Sequence, residues 1–147
     1  MNIFLNYKKQ FIKYLLSLRK KKIINFPDDL KNLTVEVSPK EQFSDMSCNI
    51  AMLLSKYNNT TPMDLADKLK KYFKKDFKEF DDIKSAHPGF LNFSFKREFW
   101  KKYIIEILKQ GPKFGADKHN KLNYNLEFVS ANPTGPMHVG HCRGAVL

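Results

Sequence analysis

Apolar residues recur every three or four positions at the start of the chain. Phe4, Tyr7, Phe11, Tyr14, Leu15 and Leu18 share one helical face, which predicts an amphipathic helix ending before Pro27. The run LTVEV, from Leu33 to Val37, alternates as a strand does and stops ahead of Pro39. Ile50, Leu53, Leu54 and Tyr57 make a second helical stripe. Thr61, Pro62 and Asp64 then read as an N-cap, an N1 proline and a capping acid, opening a third helix with Leu65, Leu69, Tyr72 and Phe73 inward. In EFDDIKSAHPGFLNFSF, two strand-like runs flank Pro88 and Gly89, and Leu91, Phe93 and Phe95 alternate with Asn92 and Ser94, as in a hairpin. Trp100, Tyr103, Ile104, Ile107 and Leu108 predict a fourth helix, stopped by Gly111 and Pro112. Residues 1–115 are thus expected to form a small α+β domain, helices packed on an antiparallel sheet with the aromatic stripes as its core.

A polar segment from Pro112 to Asn123 reads as a linker. After it, Tyr124, Leu126 and Phe128 alternate with Asn125, Glu127 and Val129, so a new strand is expected, followed by a glycine-bearing loop and a helix start. That order opens nucleotide-binding α/β domains, whose ligand sits beyond the strand's carboxyl end. Residues 116–147 are read as such a beginning.

Composition narrows the class. A chain of 147 residues, 42% hydrophobic and 14% aromatic, is long enough for one core of domain size. No stretch approaches the ~20 apolar residues of a membrane span, and the first residues lack the pattern of a secretory signal. Cys48 and Cys142 match neither a CxxC motif nor a disulfide framework, which suits a reducing compartment; a cytoplasmic protein without a membrane partner is expected. The net charge of +11 favours association with phosphates. Yet lysine outnumbers arginine 23 to 3 and asparagine occurs 12 times, as AT-rich coding would also produce, and the basic run Arg19–Lys22 also suits a solvated helix end.

The richest chemistry lies in GPMHVGH. His138 and His141 are spaced i, i+3 and share a face in a first helical turn. Gly140 between them leaves room for a flat ring such as adenine to approach the backbone. The free N–H groups and dipole of that turn favour phosphate, and two imidazoles can donate to charge building on a phosphoryl oxygen. Zinc binding by the two histidines and Cys142 lacks further ligands of suitable spacing, so no metal site is expected. A Walker loop is excluded because no GK[ST] follows the glycines. Helix capping by NPTG would explain the turn but not the paired histidines.

The string EFVSANPTGPMHVGHCRGA resembles the signature of arginyl-tRNA synthetases, in which the HxGH motif of class I aminoacyl-tRNA synthetases follows SANPTGP. The resemblance extends back through EVSPKEQFSDMSCNIAM, NTTPMDLADKL and HPGFLNFSF, which are similar to the additional N-terminal domain of the bacterial-type enzymes. It implies a Rossmann-like class I catalytic domain beginning in residues 116–147, after a tRNA-binding domain in residues 1–115. The implied activity is arginine–tRNA ligation from ATP, with Mg²⁺ accompanying it, L-arginine and tRNA(Arg), in a monomeric parent enzyme.

By the same resemblance, His138, Gly140 and His141 would contact ATP, with the two histidines stabilising the transition state. Ser130 and Asn132 would lie at the arginine backbone, and Glu127 would pair with its guanidinium. The N-terminal domain would touch the tRNA elbow near the D-loop, where Phe90 could stack on an unpaired base and Asn92 read its edge; Phe90 is equally suited to an ordinary sheet position. Where the family has HGDFATN this chain has FSDMSCN, so Ser44 replaces a glycine and a turn there is expected to differ. A complete enzyme of this family also needs the rest of the catalytic domain, a second signature loop and an anticodon-binding domain. These 147 residues alone are therefore expected to bind ATP poorly and not to charge tRNA. The alternatives are a free-standing tRNA-binding module and, less compatible with the long signature, an unrelated adenylyltransferase.

Overall fold

The computed structural model describes residues 2–27, 29–116, 125, 127, 129 and 135–146. They fall into two compact units, Met1–Ala116 and Asp117–Leu147.

The first unit opens with helix α1, Ile3–Lys20, whose N-cap Asn2 accepts from the N–H groups of Phe4 and Leu5. It buries Tyr7, Phe11, Leu15 and Leu18, the face expected from their spacing. Strands β1 (Val35–Val37), β2 (Met46–Cys48), β3 (Phe80–Ala86) and β4 (Phe90–Phe95) form an antiparallel sheet in the order β1-β2-β4-β3. Helix α2 spans Ile50–Leu54 and helix α3 spans Pro62–Asp76. Thr61 caps α3 as its sequence predicts, its Oγ1 accepting from Asp64 N–H at 3.1 Å with Pro62 in the first turn. The Tyr14 hydroxyl shares its one proton between the Asp76 carboxylate, the nearer acceptor, and the Tyr72 carbonyl at 3.1 Å, tying α1 to α3.

One face of the sheet carries Val35, Met46, Cys48, Leu91, Phe93 and Ile83 into a core shared with α1 and α3. Phe93 is its centre: Phe11, Phe73 and Phe80 lie with ring centroids 5.0, 5.6 and 4.8 Å away, mostly in tilted or edge-on arrangements. Burial pushes the Cys48 thiol up to about 12, so it stays protonated and packs as a small hydrophobe.

Three expectations change. Strand β2 carries no alternation, because Met46, Ser47 and Cys48 are all buried, and the sequence pattern therefore passes over it. The second stripe is helical only to Leu54. Tyr57 sits in a 3-10 turn, Lys56–Asn58, and is exposed. Helix α4, Arg97–Gln110, exists as predicted and ends at Gly111, φ 51°, but none of its residues is buried, and Ile104 and Leu108 are exposed. Only Phe99 and Trp100, in its first turn, pack on the core; Phe99 stacks on Phe95 at 4.0 Å.

The turn between β1 and β2 answers the question raised by Ser44. The left-handed residue there is Phe43, φ 46° and ψ 43°, not Ser44, whose hydroxyl donates to the Gln42 carbonyl at 3.1 Å. A bulky aromatic in this conformation is strained, and Phe43 is 89% exposed, so it returns nothing to the core. Phe43→Gly is expected to stabilise the chain by up to about 1 kcal/mol, the relief of strain exceeding the entropy glycine adds to the unfolded state. Urea unfolding checks this: the midpoint rises with an unchanged slope.

In the second unit, helix α5 spans Val139–Val146. Of the strand expected over Tyr124–Val129, only Asn125, Glu127 and Val129 are among the described residues. No helix among the described residues is long and apolar enough to cross a membrane.

Candidate functional site

The sheet face opposite the core is polar. Strand register aligns Glu36, Ser47, Asn92 and Lys84 in one row across β1, β2, β4 and β3. Phe90 lies two residues before Asn92 and so projects to the same side. Both residues line a cavity of about 290 Å³. Thr34, just before β1, lines it with Glu36 and Val37 of β1, Pro39 and Gln42 of the turn that follows, and Ala86 and His87 of the β3–β4 hairpin.

Two turns shape this cavity. At one end, the 3-10 turn Lys40–Gln42 follows Pro39, with Gln42 N–H donating to the Pro39 carbonyl at 3.0 Å. Asp45 docks the turn on β4: its N–H donates to the Phe93 carbonyl at 3.0 Å and its Oδ2 accepts from Phe95 N–H at 2.7 Å. At the other end, Gly89 N–H donates to the Ala86 carbonyl at 2.8 Å and closes the β3–β4 hairpin.

Asn92 is the unusual member. It is 2% exposed; its Nδ2 donates to Gln42 Oε1 at 3.2 Å, while its Oδ1 is buried without a partner. Most buried polar atoms in folded proteins are paired, so an orphan beside a cavity marks a position where a donor fits. A half-buried aromatic, an underused amide and a carboxylate around a concave site can take one flat, edge-polar ring, the geometry of an unpaired nucleobase. The structure thus brings Phe90 and Asn92 together. Gln42, Glu36 and His87 were missed by sequence reasoning; their periodicity carries no signal, and only the strand register and the turns place them at the cavity.

The second unit brings together His138, Gly140 and His141. The two imidazoles stack with centroids 3.9 Å apart and planes 29° apart. His138 Nδ1 accepts from Gly140 N–H at 3.1 Å, His141 Nδ1 accepts from His138 N–H at 3.2 Å, and the His138 carbonyl accepts from His141 N–H at 2.9 Å. With both Nδ1 atoms accepting, each neutral ring carries its proton on Nε2, so the pair presents two Nε2–H donors. A Cβ at Gly140 would lie 3.0 Å from His138 Cε1, so the exposed His138 ring would have to shift by a few tenths of an ångström to admit one. The room expected for adenine at Gly140 is occupied on that side by the His138 ring. Glu127 is exposed; Ser130 and Asn132 lie outside the described residues. Among the described residues, no three histidine, cysteine or acidic side chains gather as a metal site requires.

Comparison with known proteins places these features. The sequence model of the family described as "Arginyl tRNA synthetase N terminal domain" matches residues 6–95, from α1 to the end of β4. The chain belongs to this arginyl-tRNA synthetase family. It is similar over its whole length to arginine–tRNA ligases of Pelagibacter ubique (40% identical), Brucella suis (37%) and Bartonella quintana (41%). It covers 26, 25 and 25% of those proteins, so it spans about a quarter of the length of the curated relatives it matches. The described residues that line the cavity on the polar sheet face all fall inside the segment that the family model matches. The histidine pair lies outside it, in the part aligned with the longer ligases.

Proposed function

We propose that the chain is the N-terminal part of an arginine–tRNA ligase and that its first unit grips tRNA(Arg) at the elbow, near the D-loop. The observation that carries this reading is the cavity lined by Phe90 and Asn92 within a domain of this family. An unpaired base stacks on Phe90 while its polar edge meets Asn92, and lysines of the same unit, Lys84 in the cross-strand row among them, hold the phosphates. In the second unit, His138 and His141 direct their Nε2–H donors at the phosphates of ATP, with Mg²⁺ as the nucleotide's counterion. Glu127, Ser130 and Asn132 hold arginine. In the reaction, arginine's carboxylate attacks the α-phosphorus and pyrophosphate leaves; the terminal adenosine hydroxyl of tRNA then takes the arginyl group and releases AMP. The parent enzyme works as a cytoplasmic monomer.

Filter binding of the 147-residue chain to tRNA(Arg) tests the first half. Two or more phosphate contacts lower the affinity about tenfold as salt rises from about 50 to about 200 mM. Binding that is absent at low salt, or insensitive to salt, overturns the reading. A second reading, an RNA-binding module without catalysis, is favoured by one feature: the described residues lining the cavity all lie between Thr34 and Asn92, within the first unit. For the 147-residue chain alone, pyrophosphate exchange with arginine, ATP and tRNA is expected to stay at background under either reading, and turnover above background excludes the module.

A further inference from the structure

Charge is unevenly spread along the chain. Seven of its 26 cations and none of its 15 acids lie in residues 1–27, most of the seven on α1. Biased coding would enrich lysine along the whole chain but would not clear one segment of acids. The same helix carries apolar residues away from its main core face. Leu5, Ile12 and Leu16, spaced i, i+7 and i+11, form a strip apart from the face that buries Tyr7, Phe11, Leu15 and Leu18. Leu5 and Leu16 are exposed. Exposed Lys9, Lys13 and Lys20 run along one side of this strip and Lys8 along the other.

Facing the strip is the segment that leads from α1 towards β1. Ile12, Leu16, Phe26 and Leu30 give the groove between them an apolar lining, with Lys8, Asp29 and Lys31 as its charged members and a volume of about 450 Å³. Lys8 Nζ donates to the Lys31 carbonyl at 3.4 Å, bridging the two walls. Asp29 is already neutralised, its carboxylate lying 3.1 Å from Lys31 Nζ and accepting from the Lys31 N–H at 2.8 Å. The charge left around the groove is positive.

We propose that this groove docks an acidic amphipathic helix of a partner protein. Leucine-like side chains enter between α1 and the Phe26–Lys31 segment, and carboxylates meet Lys8, Lys9 and Lys13. Charge complementarity selects the occupant. Concavity sets it apart from a membrane surface, since a lipid interface takes an apolar face that protrudes, whereas Phe26 is buried. Nucleic acid would meet the lysines and leave the apolar lining in water. Because α1 packs on the core face of the sheet, the groove is separate from the polar-face cavity, and the proposal does not depend on what that cavity takes.

The probe is a synthetic amphipathic peptide with leucine on one helical face and glutamate on the other. It is titrated at low salt into the ¹⁵N-labelled 147-residue chain while the backbone amide signals of Ile12, Leu16 and Leu30 are followed by NMR. Those signals are expected to shift. Affinity is expected to fall about fivefold or more in Leu16→Asn, and about tenfold in the double variant Lys9→Glu, Lys13→Glu. All three side chains are exposed, so the variants should keep a native spectrum elsewhere. A companion peptide with serine in place of leucine is expected to leave the signals where they are. Phosphatidylglycerol vesicles and tRNA(Arg) are titrated in parallel as rival occupants. Absence of peptide-induced shifts overturns the proposal, and so does peptide binding that is unchanged in Leu16→Asn, which would be charge attraction alone. If vesicles or tRNA shift these signals in a Leu16-dependent way and the peptide does not, the groove belongs to that occupant and the proposal falls.

Discussion

Gly89→Ala is expected to destabilise the first unit by about 2–4 kcal/mol. Two costs add. Gly89 has φ +134°, a region that residues with a Cβ rarely enter. A Cβ there would also stand 2.5 Å from Pro62 Cβ and 3.1 Å from the Pro62 carbonyl carbon. Neither neighbour yields easily: Pro62 is a rigid ring in the first turn of α3, held by the Thr61 cap. The hairpin loop or the start of α3 must therefore move. Because His87 and Phe90 flank Gly89 and line the cavity, tRNA affinity should fall together with stability. Urea unfolding with a parallel tRNA titration checks both; a midpoint within experimental error of the unmodified chain would mean that the close approach to Pro62 relaxes without cost.

What could be read in advance follows a physical division. Helices α1 and α3 were legible because each buries one face at helical period, and α3 because Thr61, Pro62 and Asp64 satisfy the free N–H groups of a first turn by purely local chemistry. The β3–β4 hairpin was legible for the same reason, Pro88 and Gly89 breaking two alternating runs. Strand β2 was not, since three consecutive buried residues show no period. The exposure of α4 was not either, because periodicity reports that a face is apolar and says nothing about what covers it.

The site divides in the same way. Spacing alone put His138 beside His141, whereas Phe90 and Asn92 were singled out by the family resemblance. Two contacts that give these pairs their chemistry were hidden: the hold of Gln42 on Asn92 depends on strand register, and the packing of the His138 ring against Gly140 on side-chain rotamers. Ser44 shows the limit of reading one substituted glycine, for the strained residue is its neighbour Phe43.

Asn92→Leu should separate recognition from stability. Affinity for tRNA(Arg) is expected to fall about 5- to 150-fold, because a hydrogen-bonding site that loses its polar edge discriminates against its ligand by about 1–3 kcal/mol. The fold should be as stable as before or slightly more so. Leucine is close to asparagine in shape, and the substitution removes the buried, unpartnered Oδ1, whose desolvation costs about 1–3 kcal/mol. The one hydrogen bond lost is from Asn92 Nδ2 to Gln42, and Gln42 is exposed, so water replaces that donor. The β4 backbone bonds to β2 and β3 are untouched. A functional residue kept at the expense of stability predicts this pairing of opposite effects. Thermal unfolding and filter binding on the same protein decide it. Unchanged tRNA affinity would remove Asn92 from the interface, whereas a loss of 1 kcal/mol or more in stability would make it a structural residue.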